Sequence, residues 1–216
     1  MEPVTSSKSL GMRYLFHLHT KYGDGELSIA DYFQYAKEHH LRPLMFLEHV
    51  RRKPSYSVQK YAEEIRKLSE QTGIRAYVGF EMKLLPNSDL DISDWAYELC
   101  DVVGLAVHEF PNNFLKYMSA FSKAMQRYKN KTRVWVHPGI WFRRRHLLSE
   151  QALVYMTMLR LATGEGWLIE ENRKYDLIPH RLRGLVHKSQ RIVGVDSHHL
   201  SDLSNSNYYN NNLSLT

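Results

Sequence analysis

The sequence predicts a parallel α/β fold built from seven successive βα units. Three observations carry that expectation. Short apolar runs of strand length recur along the chain, amphipathic stretches of helix length alternate with them, and nearly every apolar run ends in a histidine or a carboxylate. Alternation of this kind argues for βα units rather than for separate sheet and helix layers.

The strands are expected near residues 14–18, 44–47, 76–80, 102–107, 134–136, 167–169 and 192–195. Between them, Ser28 is a candidate cap for a helix running to about His40, because its hydroxyl can accept from the free amides of a first helical turn. Ser55 or Ser57 opens a second helix through Leu68, with Gly73 as a stop that tolerates a left-handed backbone. Further helices are expected over residues 92–99, 113–128, 150–162 and 179–188.

At 216 residues the chain is long enough to bury about 70% of the surface that its unfolded form exposes. One domain over residues 1–202 is therefore expected, followed by a Ser- and Asn-rich segment, 203–216, that reads as a frayed or disordered tail. Hydrophobic content of 43% and charged content of 24% fit a folded domain. The net charge of +6 favours an anionic partner, with phosphoesters and nucleic acid both open.

Cys100 is the single cysteine, so an internal disulfide is excluded and a reducing compartment is expected. No run approaches the roughly 20 apolar residues of a membrane span, and the first residues lack a leader's apolar stretch. A cytoplasmic protein without a membrane partner is the expectation.

The chemistry is written at the strand ends. His17 and His19 close the first strand, with Asp24 in the loop beyond; His49, Glu81, His108, His137 and Glu170 follow the next five, and Asp196 and His198 the last. In a parallel barrel all strand carboxyl ends converge on one face, so these distant residues meet. Alternation along an extended strand also turns His17 and His19 the same way, as it does Asp196 and His198. A lone strand-end histidine such as His108 is more often a hydrogen-bonded core residue; recurrence at successive strands points instead to a metal site. Imidazole and carboxylate donors suit Zn, Mn or Fe. Such ions activate water for hydrolysis.

These motifs, His17-Leu18-His19-Thr20 with Asp24-Gly25, Glu48-His49, Gly79-Phe80-Glu81, Val107-His108, His137-Pro138-Gly139, Glu170-Glu171-Asn172 and Gly194-Val195-Asp196-Ser197-His198, resemble in order and spacing those of the polymerase and histidinol phosphatase (PHP) domain family. The resemblance spans residues 16–198. It implies a distorted (β/α)7 barrel holding two or three divalent ions. It also implies that His17, His19, Glu81 and Asp196 hold one ion, that Glu81 bridges to a second held by His108 and His137, and that Asp24, His49 and His198 hold the third.

Glu81, His19 and Asp196 would then carry the catalysis, with metal-activated water attacking phosphorus. The second motif departs from the family's Thr-Asp-His: Leu47-Glu48-His49 gives the outer acidic role to the longer Glu48, which offers an option for proton transfer. His199 is expected to face away. His39, His40, His146, His180 and His187 are read as surface or packing residues.

Basic residues crowd the loops behind these ligands: Arg51, Arg52 and Lys53, then Lys83, then Arg143, Arg144 and Arg145, then Arg173 and Lys174. Arginine forks fit phosphate oxygens, so Arg143, Arg144, Arg145, Arg52, Lys83 and Arg173 are the candidate contacts to an anionic substrate. Trp141, Phe142 and Tyr175 either stack on a base or sugar or pack the barrel rim. The expected activity is hydrolysis of a phosphomonoester, either a small phosphorylated metabolite or a nucleotide. The alternatives are a nuclease processing DNA or RNA ends, and a binding module that the metals only stabilise. An amidohydrolase barrel is a remoter alternative, since Glu81 stands where those barrels carry a bridging lysine.

Overall fold

The computed structural model describes residues 13–147 and 151–204. Residues 205–216 of the expected tail lie outside it, as does the side chain of His180. Among the described residues, nine parallel strand segments follow one another: β1 (Leu15–Leu18), β2 (Leu44–Phe46), β3 (Glu48–Val50), β4 (Ala76–Tyr77), β5 (Gly79–Lys83), β6 (Val102–Ala106), β7 (Thr132–Trp135), β8 (Leu168–Asn172) and β9 (Arg191–Gly194). Only Leu47 separates β2 from β3 and only Val78 separates β4 from β5, so the nine segments form seven strands.

Pairing follows chain order, β1-β2-β4 continuing into β3-β5-β6-β7-β8-β9. The two ends of that order meet. The amides of Val195 and Ser197 donate to the carbonyls of Phe16 and His17 at 3.0 Å, and the His19 amide donates to the Ser197 carbonyl at 3.0 Å. The seven strands therefore run around a ring, the distorted (β/α)7 barrel that the motifs imply.

Alternation along the strands sorts the apolar side chains. Tyr14, Phe16, Met45, Leu47, Val134 and Val136 belong to a compact cluster enclosed by the ring. Their neighbours Leu15, Leu44, Phe46 and Trp135 join the larger cluster that includes the surrounding helices.

Helix α1 (Ile29–His39) starts at Ser28, whose hydroxyl accepts from the Asp31 amide while the Asp31 carboxylate accepts from the Ser28 amide. It buries Ile29, Tyr32, Phe33 and Ala36, one face at helical spacing. Ser57, not Ser55, caps α2 (Val58–Thr72), and Gly73 ends it at φ 68°, where only glycine avoids a Cβ penalty. Helices α3 (Asp94–Leu99), α4 (Phe114–Met125) and α6 (Ala152–Gly164) fall where expected, whereas the single turn α5 (Ile140–Arg143) was not foreseen. Leu203 and Ser204, at the start of the expected tail, end α7 (Leu200–Ser204), with Leu203 buried.

One element differs. Residues 179–188 form a 3₁₀ helix, His180–Leu185, rather than an α-helix, and a second 3₁₀ turn spans Lys188–Gln190. The Arg191 guanidinium takes the carbonyls of Val186 and Arg183 at 2.9 and 2.7 Å, acceptors that a continuing α-helix would need for its own amides. Gly184 further weakens helical propensity there.

Candidate metal centre

The polar layer above the enclosed apolar cluster is where the sequence-identified residues converge. His17 lies inside β1, His49 inside β3, Glu81 inside β5 and Glu170 inside β8, rather than beyond their ends. These strands extend further than their apolar runs because His17, Glu81 and Glu170 face inward and are buried, with His49 partly open to the cleft.

The alternation argument for His17 also needs correction. Phe16 already points into the ring, so strict alternation would turn His17 outward. Instead the β1–β2 register shifts between Phe16 and Leu18, and His17 adopts φ 72°. This bulge turns two consecutive side chains inward. His137, after inward-facing Val136, does the same at φ 42°, and Asp196 sits at φ 51°. Each left-handed non-glycine residue costs on the order of 1–3 kcal/mol and persists only where its surroundings impose it.

Four overlapping donor groups occur among the described residues: His17, His19 and Glu81; Glu81, His108 and His137; His19, Asp24, His49 and His198; and His17, His137 and Glu170. Glu81 links the first two. Its Oε2 lies 3.0 Å from His17 Nε2 and 3.5 Å from His19 Nε2, while its Oε1 lies 3.4 Å from His108 Nε2 and 3.8 Å from His137 Nδ1. Asp196 adds Oδ1 at 3.5 Å from His19 Nε2 and Oδ2 at 3.4 Å from His137 Nε2. Asp24 holds the third group, 3.5 Å from Nε2 of both His49 and His198.

The donor set fits divalent ions. Both ring nitrogens of His19, Glu81 Oε1 and His137 Nδ1 are buried without a hydrogen-bond partner among the described residues, a cost of about 1–3 kcal/mol for each group left unsatisfied. Most spacings within the groups are too long for hydrogen bonds. They match the roughly 3.4 Å edge between two ligands each about 2.1 Å from one tetrahedral ion.

Electrostatics point the same way. Burial opposes ionisation of Glu81, yet the surrounding histidines hold its carboxyl well below the usual range. Burial likewise opposes a charged His17, and the carboxylates of Glu170, Asp196 and Glu81 overcome it and raise the imidazole well above its ordinary value. Burial pushes His108 down to about 4, so it offers a neutral lone pair.

Two further carboxylates stand behind the histidines. Glu48, fully buried, accepts from the Thr20 amide and hydroxyl at 2.7 and 2.6 Å and lies 3.5 Å from His19 Nδ1. Those bonds and the His49 amide, 3.0 Å away, occupy it, which argues against the proton-transfer option raised for Glu48. Glu170 lies 2.5 Å from His17 Nδ1, a role that strand-end position alone did not reveal. The signal was Gly194 two residues before Asp196: a Cβ there would collide with the Glu170 carboxylate.

A cleft of about 550 Å³ opens beside the donors, lined by Asp24, His49, Arg51, Lys53, Lys83 and His108 among others. Lys83 is paired with Glu109 at 3.3 Å and Arg51 with Asp91 at 3.7 Å. Lys53 has no ion pair among the described residues. The other cations that the sequence nominated stand elsewhere. Arg52 pairs with Asp89, and Arg173 lines a separate cleft with Asn172 and Asp176. Arg143 donates to the Tyr175 carbonyl, Arg144 to that of His108 at 3.2 Å, and Arg145 to that of Phe110 at 3.0 Å.

Trp141 and Phe142 are buried in the core, which resolves their two readings in favour of packing, while the Tyr175 ring meets His137 edge-on. His39, His40, His146 and His187 are exposed. His199 is exposed and pairs with Glu26 at 3.0 Å. No helix among the described residues is long and apolar enough to cross a membrane.

Comparison with known proteins places this architecture. The family model described as the PHP domain matches residues 16–208. Histidinol phosphate phosphatase from Lactococcus lactis, solved with zinc, L-histidinol and phosphate, aligns over 87% of this chain and 86% of its own at 19% identity and TM-score 0.58. A two-domain protein from Bacteroides vulgatus containing a PHP-like metal-dependent phosphoesterase aligns over 89% of this chain but 54% of its own, at 17% identity and TM-score 0.49. No curated protein sequence matches.

Proposed function

The chain belongs to the PHP domain family, and on that premise we propose that it hydrolyses a phosphomonoester at a centre of two or three divalent ions. The carrying observation is the set of three donor groups overlapping at Glu81 and His19. His17, His19, Glu81 and Asp196 would hold one ion, Glu81, His108 and His137 a second, and Asp24, His49 and His198 a third. Ions there supply Lewis acidity, lowering the pKa of water and neutralising charge on phosphoryl oxygens.

The protein's own residues supply position. Glu81 presents one oxygen to each of the first two groups, and the ring closure between β1 and β9 sets His19 against Asp196. Tyr32 of α1 pins that seam, donating its hydroxyl to the His19 carbonyl at 2.8 Å. Lys53 on the cleft wall supplies positive charge for the anionic ester.

The cleft supports a small ester over a nucleic acid. A groove tracking a polynucleotide needs a row of free cations, whereas Arg52 and Arg127 share the Asp89 carboxylate and Arg51 pairs with Asp91. The test is a screen of protein reconstituted with Zn, Mn or Fe against phosphomonoesters, nucleotides and single-stranded DNA. Hydrolysis of monoesters is expected; cleavage of DNA alone would favour the nuclease, and hydrolysis of nothing would leave the metal-stabilised binding module.

A further inference from the structure

We infer that Glu170 is a positioning residue that fixes the tautomer of His17 and, through Asn172, aligns three donors of the first two metal groups. The inference rests on the metal reading above. Glu170 is fully buried. Its Oε1 lies 2.5 Å from His17 Nδ1, and its Oε2 accepts from the His137 amide at 2.7 Å and from the Asn172 side-chain amide at 3.3 Å. That same Asn172 nitrogen lies 3.4 Å from Asp196 Oδ2. One carboxylate thus ties together β1, His137 two residues after β7 and, through Asn172, Asp196 two residues after β9.

The geometry separates two roles for Glu170. His17, His137 and Glu170 form a group with the composition of a metal site. But 2.5 Å is far below the roughly 3.4 Å that separates two donors on one tetrahedral ion. A contact so short between an imidazole nitrogen and a carboxylate oxygen is a charge-assisted hydrogen bond. A neutral imidazole has one donor and one acceptor nitrogen. With Nδ1–H donated to Glu170, the lone pair falls on Nε2, which faces Glu81 Oε2 at 3.0 Å and Asp196 Oδ1 at 3.8 Å.

The backbone makes room for this bond. Gly194 pairs with Asn172 in the β8–β9 register, and any side chain at Gly194 would occupy the space of the Glu170 carboxylate. The His137 amide that Glu170 accepts belongs to a residue with left-handed backbone, so the carboxylate also helps hold that turn.

The test uses the full chain, zinc as probe, and two readouts that do not depend on turnover. Competition against a chromogenic chelator should show zinc affinity falling roughly 10- to 100-fold in Glu170→Gln, the range for loss of a partner behind a ligand. The ion of the Asp24, His49 and His198 group should be retained. Long-range ¹H–¹⁵N correlation on the zinc-loaded wild type should place the His17 proton on Nδ1, a signature that a merely structural role would not require.

A folded Glu170→Gln protein with wild-type zinc affinity overturns the inference. So does a zinc-loaded wild type with His17 protonated at Nε2, which needs no variant to fold. A wild type that binds no zinc overturns both this inference and the metal reading. A wild type that binds zinc with the expected tautomer yet cleaves no phosphoester removes only the phosphoesterase reading.

Discussion

The Arg145 guanidinium lies 4.5 Å from the centre of the Trp141 ring and donates to the Phe110 carbonyl. A cation over a buried indole contributes about 0.5–2 kcal/mol, and here it clamps α5 to the loop after β6. Arg145→Ala is expected to lower the melting temperature by roughly 2–8 °C for a domain of this size and to leave KM unchanged. A tenfold rise in KM with an unchanged melting temperature would return Arg145 to the substrate contacts.

Lys53 is expected to act on substrate instead. Its ammonium has no ion pair among the described residues and lines the cleft, so a substrate phosphate has no carboxylate of those residues to displace. Lys53→Met should raise KM about tenfold, or about 1.4 kcal/mol, with little change in kcat, the pattern of lost uniform binding. Arg52→Met, whose parent is held by Asp89, should change KM less than threefold. Steady-state kinetics on one monoester decides between them, and a larger effect at Arg52 would reverse the assignment.

Asp24 is the exposed member of the third donor group, with more than half of its side chain open to solvent. The His198 imidazole beside it is the main influence holding its carboxyl below the usual range. Asp24→Asn should remove one ion per chain while the Glu81 groups stay loaded, as read by elemental analysis after dialysis. Affinity for that ion should fall at least roughly 100-fold, the upper end of what an outer partner's loss costs. Loss of all metal would show that the groups do not load separately.

Stability should respond to pH in opposite directions with and without metal. Despite burial, His17 and His19 are raised above their ordinary 6.5 by facing carboxylates. The stabilisation they give the metal-free protein is complete below about pH 6.5 and lost as pH rises through their folded values. Glu81 and Asp196, held low, stay charged and lose their counter-ions. Between pH 6.5 and 9 the metal-free melting temperature should therefore fall. With zinc it should rise, because binding displaces those protons. Calorimetric scans with and without chelator test this; parallel slopes would refute it.

The seven strands and nearly all donors were legible in the sequence because apolar runs and histidines are local signals. What local signals missed were relations between strands. The outer role of Glu48 was legible from its motif, but Glu170 read as one more strand-end carboxylate, and only Gly194, whose absent side chain leaves room for it, marks it as a partner behind the histidines. The bulge at His17 was hidden because period-two reasoning gave the right direction for the wrong reason. The rim failed for another cause: charge in sequence does not show which cations Asp89, Asp91 and Glu109 have already neutralised.

The bonds between β1 and β9 set an order of assembly. His17 and His19 precede Asp196 and His198 by some 180 residues, and contacts so distant in sequence form slowly. A growing chain truncated before β9 carries the histidine pair without its closing carboxylate. Capture of every ion of the proposed centre would thus report that the ring between β1 and β9 has shut.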